Sequence, residues 1–129
     1  MVAQLERDFQ VEVAWRLKRY PVISISVPNG IYIPSRDPAE RDIAARIIRR
    51  MKTDGMLTPG APDLCIASRH GTIMAELKRS KSRDLFAVRP AGRQSPAQRE
   101  FQSRCEAVGV RYIVAYEWAA IEEAIAEII

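Results

Sequence analysis

Cysteine and histidine are scarce in this sequence. Its 129 residues include two cysteines, Cys65 and Cys105, and one histidine, His70. Two cysteines are too few for a disulfide framework or for a zinc site built on thiolates. Cys65 lies in an apolar run and Cys105 falls at a helical core spacing, so both are predicted to be buried thiols. Free thiols are typical of a reducing compartment, which predicts a cytoplasmic location.

Long apolar runs are also missing. No stretch approaches the roughly 20 apolar residues that a membrane-spanning helix needs. The segment 1–10 carries acids and lacks the apolar centre of a signal peptide, so we expect none. The chain has no internal repeat, and its hydrophobic content of 47% is enough for a core. These features predict one folded domain over residues 1–129 that does not enter a membrane.

The net charge of +4 is unevenly spread, because no Lys or Arg follows Arg111. The basic residues crowd two stretches, namely Arg46, Arg49, Arg50 and Lys52, then Lys78, Arg79, Lys81, Arg83, Arg89 and Arg93. A surplus of this kind favours a polyanionic partner, and nucleic acid is the commonest one. An ordinary basic surface explains the charge equally well.

Hydrophobic periodicity predicts the order helix, strand, helix, hairpin, helix, strand, helix. The second helix begins at the N-cap Asp37 and should bury Ile43, Ile47 and Met51. Residues 79–94 have no clear period, which predicts a long, basic, mobile loop. The motif Ser95-Pro96-Ala97-Gln98 is a capping box that opens the third helix. The expected fold is α/β, a small mixed β-sheet with a central hairpin flanked by helices.

The hairpin carries the residues with the clearest chemistry. Residues 63–67 and 72–78 flank a four-residue turn, and pairing them places Asp63 opposite Glu76. Alternation then puts Asp63, Glu76 and Lys78 on one face and leaves an apolar core face behind them. Opposed carboxylates repel each other, and Mg²⁺ or Mn²⁺ would offset that repulsion. The alternative is a solvated hairpin in which Lys78 neutralises two exposed acids.

The motifs Gly60-Ala61-Pro62-Asp63 and Glu76-Leu77-Lys78 resemble the PD-(D/E)xK pattern of restriction-endonuclease-like nucleases. More narrowly, the chain resembles the VRR-NUC family, the virus-type replication-repair nuclease domain. The further motifs that fit in the same order are Glu6 with Gln10, Pro28-Asn29-Gly30, the segment from Lys52 to Gly60, and Gly92-Arg93-Gln94-Ser95-Pro96-Ala97-Gln98. The resemblance spans about residues 5–115, and residues 79–91 are longer than the family's usual link.

The resemblance implies a restriction-endonuclease-like core and a role for each matching residue. Asp63, Glu76 and the Leu77 carbonyl would bind the metal, and Lys78 would be the catalytic lysine. Glu6 would approach the metal or its water, with a surface acid as the alternative. Gln98 would flank the site, and its alternative is a purely capping role. His70 lies in the hairpin turn, far from the acids, which argues against a histidine-based nuclease.

The resulting prediction is a Mg²⁺-dependent endodeoxyribonuclease in which Mn²⁺ can substitute. Its DNA contacts would come from basic side chains, namely Lys52, Arg79, Lys81, Arg83, Arg89 and Arg93. One form of this prediction is a structure-selective enzyme that acts on junctions or flaps as a homodimer in DNA repair or recombination, and a nonspecific or nicking enzyme is the alternative. The resemblance suggests a phage or bacterial source. The rivals are a DNA-binding module on the same fold that does not cut, and a small structural or assembly protein.

Overall fold

The computed structural model places four helices and six strands in the part of the chain that it describes. The backbone is described at residues 2–27, 36–55, 58–78, 82–83, 88–89 and 92–129, and side chains are described at residues 7–27, 36–55, 58–78 and 92–129. The elements in chain order are α1 (Val2–Leu17), β1 (Ile23–Ser26), α2 (Pro38–Thr53), β2 (Leu64–Ser68), β3 (Gly71–Leu77), β4 (Ser82–Arg83), β5 (Val88–Arg89), α3 (Pro96–Ala107), β6 (Arg111–Ala115) and α4 (Trp118–Ala126).

Four of the strands form one mixed sheet in the order β1-β2-β3-β6. The pairs β1–β2 and β2–β3 are antiparallel, whereas β3 and β6 are parallel. The chain between β3 and β6 includes α3, as a parallel connection requires a crossover. The predicted fold class is confirmed, since the protein is α/β, with a four-stranded mixed sheet, a central hairpin and flanking helices.

The hairpin register is the predicted one, with Ala67 opposite Thr72 and Cys65 opposite Met74. The turn is shorter than predicted, because Ser68 pairs with Gly71 and only two residues connect the strands. The ladder ends at Leu64 and Ala75, and the Asp63 N–H donates to the Ala75 carbonyl at 3.1 Å. Asp63 therefore enters the sheet next to Glu76.

One face of the sheet forms the hydrophobic core. The hairpin contributes Leu64, Ile66, Ile73, Ala75 and Leu77, each at most 4% exposed. Val13 and Leu17 of α1 and the buried side chains of α4 pack against that face. This arrangement confirms the predicted core face. The helix α3 contacts β6, and it covers the opposite face of β3 with Phe101 and Gln98 near Tyr112 and Glu76.

The start of α2 matches its prediction, but its buried face does not. Asp37 is the N-cap, and its Oδ1 accepts a hydrogen bond from the Ala39 N–H at 2.9 Å. Ile43 and Ile47, predicted to be buried, are 55% and 45% exposed. Ala44 is buried instead, and Met51 is half-buried. The apolar face of α2 is wider than the surface with which it packs, so periodicity alone does not identify the residues that become buried.

The segment after β3 contains regular structure that its sequence did not predict. The strands β4 and β5 pair with each other in antiparallel register. The prediction of a loop without secondary structure over residues 79–94 is therefore wrong at these four positions. None of the helices within the described ranges combines the length and the apolar character that crossing a bilayer requires.

Candidate active site

Asp63 is held at the start of the hairpin by both neighbouring strands. Its backbone carbonyl accepts from the Val27 N–H at 2.9 Å, after β1, and its N–H donates to Ala75 of β3. Its side-chain Oδ2 accepts from the Leu77 N–H at 2.7 Å. Two backbone hydrogen bonds fix the position of Asp63 between β1 and β3, and a third orients its carboxylate, so Asp63 is preorganised rather than a free surface acid.

Glu76 is the one charged residue among those described that is buried, with 2% of its surface exposed. Its Oε1 accepts from Gln98 Nε2 at 2.6 Å, and Lys78 Nζ lies 3.5 Å from the same oxygen. Its Oε2 accepts from the Tyr112 hydroxyl at 3.5 Å. The alternative of two solvated, exposed acids does not describe Glu76, because α3 and β6 exclude water from it.

Burial has a large effect on the acidity of Glu76. Burial first, and the negative charge of Asp63 after it, raise the pKa of the carboxyl from 4.5 to about 7. The ammonium group of Lys78 lowers it but does not cancel the other two effects. A carboxyl with a pKa near neutrality, beside a second carboxyl in a cleft, is typical of a functional site.

Gln98 is a capping residue that also contacts Glu76. Its Oε1 accepts from the Ser95 N–H at 2.8 Å, and the Ser95 hydroxyl accepts from the Gln98 N–H at 3.2 Å. The predicted capping box is therefore confirmed. Gln98 Nε2 donates to Glu76 Oε1, so a residue in the first turn of α3 also positions the buried carboxylate.

The turn before Asp63 packs directly against the first turn of α3. Gly60 has φ of +77°, a left-handed conformation that favours glycine, and it ends a turn closed by the Ala61 N–H and the Thr58 carbonyl at 3.1 Å. A Cβ at Gly60 would lie 2.2 Å from the Ala97 carbonyl oxygen. The absence of a side chain at Gly60 is what lets α3 approach closely enough for Gln98 to reach Glu76.

Tyr112 is a site residue that the sequence analysis missed. It lies on β6 opposite Met74, is 7% exposed and stacks near Phe101 with ring centroids 6.3 Å apart. Burial and the charge of Glu76 raise the pKa of Tyr112 to about 12, so its hydroxyl stays protonated and can donate to Glu76. Only the parallel register of β3 and β6 brings it there, and no local motif marks it.

A cleft of about 360 Å³ opens at the end of the hairpin that carries Asp63 and Glu76. Asp63, Glu76 and Lys78 line it together with Gln98, so the structure brings together four of the predicted site residues. Leu77 also lines it. Lys52, predicted as a nucleic-acid contact, reaches the same cleft from the last turn of α2.

The other predicted site residues either do not line this cleft or lie outside the described residues. Arg93 is exposed, two residues before the cleft residue Ser95. Arg79, Lys81, the side chains of Arg83 and Arg89, the side chain of Glu6 and the turn Pro28-Asn29-Gly30 lie outside the described residues. His70 is exposed in the two-residue hairpin turn, at the opposite end of the strands from Asp63, as predicted.

The donor set in the cleft fits a hard divalent cation. It offers two carboxylates and a backbone carbonyl, and oxygen ligands of this kind suit Mg²⁺ or Mn²⁺. No group of three or more His, Cys, Asp or Glu side chains that could hold a metal occurs within the described ranges. A cation in the cleft would have the Asp63 and Glu76 carboxylates and the Leu77 carbonyl as its protein ligands. A buried carboxylate beside another is costly unless a cation or proton offsets its charge.

Comparison with known proteins adds no relative. The chain matches no family model, no curated protein and no solved structure. The resemblance to VRR-NUC nucleases therefore rests on the ordered motifs of the sequence itself.

Proposed function

We propose that this protein is a divalent-metal-dependent nuclease that hydrolyses phosphodiester bonds of DNA. The observation that carries the proposal is the buried carboxylate of Glu76, which lines one cleft with Asp63 and Lys78 and accepts hydrogen bonds from Gln98 and Tyr112. A merely structural hairpin has no reason to bury an acid beside a second acid.

Each residue has a distinct part in this proposal. The Asp63 and Glu76 carboxylates, with the Leu77 carbonyl, would hold Mg²⁺ or Mn²⁺. The bound cation would supply Lewis acidity, lowering the pKa of a coordinated water and stabilising charge on the phosphate. Lys78, whose ammonium lies 3.5 Å from Glu76, would orient the attacking water or take its proton. Gln98 would fix the Glu76 carboxylate.

The test is cleavage of linear, flapped and four-way DNA in Mg²⁺, Mn²⁺ or EDTA. We expect cleavage with either cation, none in EDTA, and loss in Asp63→Ala, Glu76→Ala and Lys78→Ala. Glu100→Ala, an exposed acid on α3, is the matched control and should cut like the parent. DNA binding without cleavage under every condition would favour the non-cutting module, and the absence of both would favour an assembly protein.

The same substrates address the finer parts of the proposal. Preference for a four-way or flapped substrate over linear duplex would support a structure-selective endonuclease. Such an enzyme must present two sites to two strands, and a homodimer achieves this with a single small domain. Light scattering with and without DNA measures the assembly, and a monomer in both cases would remove the dimer from the proposal.

A further inference from the structure

The helix α2 ends at the cleft with two basic side chains on one face. Lys52, in its last turn, lines the cleft with Asp63 and Glu76. Arg49 precedes it by three residues and therefore lies on the same helix face. Both side chains are exposed. At 1.5 Å per residue they lie about 4.5 Å apart along the helix axis.

The pairing of charges on α2 distinguishes Arg49 and Lys52 from Arg46 and Arg50. Arg46 pairs with Asp42 at 2.6 Å, and Arg50 pairs with Asp54 at 3.7 Å. Neither Arg49 nor Lys52 forms a salt bridge with any acid in the part of the chain that the structure describes. The uncompensated positive charge is thus on the side of α2 that leads to the cleft.

We propose that this face of α2, through Arg49 and Lys52, binds the phosphate backbone of duplex DNA where the duplex leaves the cleft. The proposal rests on the proposed function for the position of the DNA. Exposed guanidinium and ammonium groups without acidic partners are the chemistry that phosphate oxygens attract.

A purely structural role for the same residues is the alternative to exclude. Cations in the last turn of a helix stabilise it by interacting with its dipole. That role predicts a loss of thermal stability when they are neutralised, whereas phosphate binding predicts a loss of salt-dependent DNA affinity. The two outcomes are measured separately on the same preparations.

The experiment measures the affinity of the full chain for a short duplex in EDTA, at several salt concentrations. The test variant is the double substitution Arg49→Gln and Lys52→Gln. The matched control is Arg46→Gln with Arg50→Gln, which removes the same charge from the same helix. Each phosphate contact contributes about 0.9 to the slope of log affinity against log salt. We expect the test variant to lose about 1.8 of slope, and the control to keep the slope of the parent.

The outcomes separate this inference from the proposed function. An unchanged slope in the test variant, with a parent that binds and cuts DNA, overturns the α2 assignment and leaves the nuclease standing. Equal losses in test and control also overturn it, because helix charge rather than position then matters. A parent that does not bind DNA overturns both. The variant Arg49→Lys with Lys52→Arg retains the charges and should keep the parent slope. A test variant that melts well below the parent but keeps the parent slope, with the charge-retaining variant like the parent in both, assigns the residues to the helix end and overturns the inference.

Discussion

We predict that the ionisation of Glu76 makes the stability of the metal-free protein depend on pH. Burial and Asp63 raise the pKa of this carboxyl from 4.5 to about 7. The folded state therefore keeps a proton that the unfolded state releases between these values, and stability falls as the pH rises through that window. At about 1.36 kcal/mol per pKa unit, the loss amounts to about 3 kcal/mol between pH 4.5 and pH 8.

The substitution Glu76→Gln should remove this loss, because an amide resembles the protonated acid in shape and cannot ionise. Gln at this position can still accept from the Gln98 amide. We expect the variant and the parent to be nearly equal in unfolding free energy at acidic pH. At pH 8 in EDTA we expect the variant to be more stable by up to about 3 kcal/mol.

Urea denaturation at both pH values, in EDTA, measures the difference. Glu100→Gln on α3 is the control, because its side chain is exposed and its substitution should change neither curve. Adding Mg²⁺ at pH 8 should then stabilise the parent more than Glu76→Gln, since only the parent has both carboxylates. If the parent and Glu76→Gln lose stability in parallel from pH 4.5 to pH 8, the burial of an ionisable Glu76 is not the cause and the argument is refuted.

Three further substitutions test the neighbours of Glu76. Tyr112→Phe removes the donor to Glu76 Oε2 but keeps the ring. Its Mn²⁺ affinity, measured by calorimetry, should fall roughly tenfold, as is typical when a partner of a metal ligand is lost. A variant with the same affinity as the parent would show that the hydroxyl is dispensable. Gly60→Ala places a Cβ 2.2 Å from the Ala97 carbonyl oxygen, at a position with left-handed backbone. Urea denaturation should show that the free energy of unfolding falls by about 2 kcal/mol or more. An unchanged denaturation midpoint would contradict the close packing. Gln98→Glu keeps a capping side chain but brings a carboxylate next to Glu76. Its melting temperature in EDTA should therefore lie below that of the parent at pH 8 and equal it at pH 5. A variant that melts like the parent at both pH values would mean that Gln98 acts as a cap alone.

The parts of the site that depend on neighbouring sequence could be predicted, and the parts that depend on packing could not. Alternation and turn residues fix the hairpin register, which places Asp63 and Glu76 side by side. The capping box likewise places Gln98 in the first turn of α3. Both arguments involve residues within about one element of each other, where local geometry leaves few alternatives.

The burial of Glu76 was beyond such reasoning. It follows from α3 covering that face of the sheet and from the parallel pairing of β3 with β6, neither of which has a local signature. Tyr112 was missed for the same reason. On α2, periodicity identified an amphipathic helix but not which part of its apolar face is buried. Ile43 and Ile47 lie on the exposed part.

The separation in sequence between the acids and their hydrogen-bond donors has a consequence for how the chain folds. Asp63 and the Leu77 N–H are 14 residues apart, whereas Gln98 lies 22 residues and Tyr112 lies 36 residues from Glu76. Short-range contacts close with less loss of chain entropy than long-range ones. A nascent hairpin would thus bring its two acids together before α3 and β6 dock. Acidic conditions, which discharge that pair, should then speed refolding of the metal-free chain.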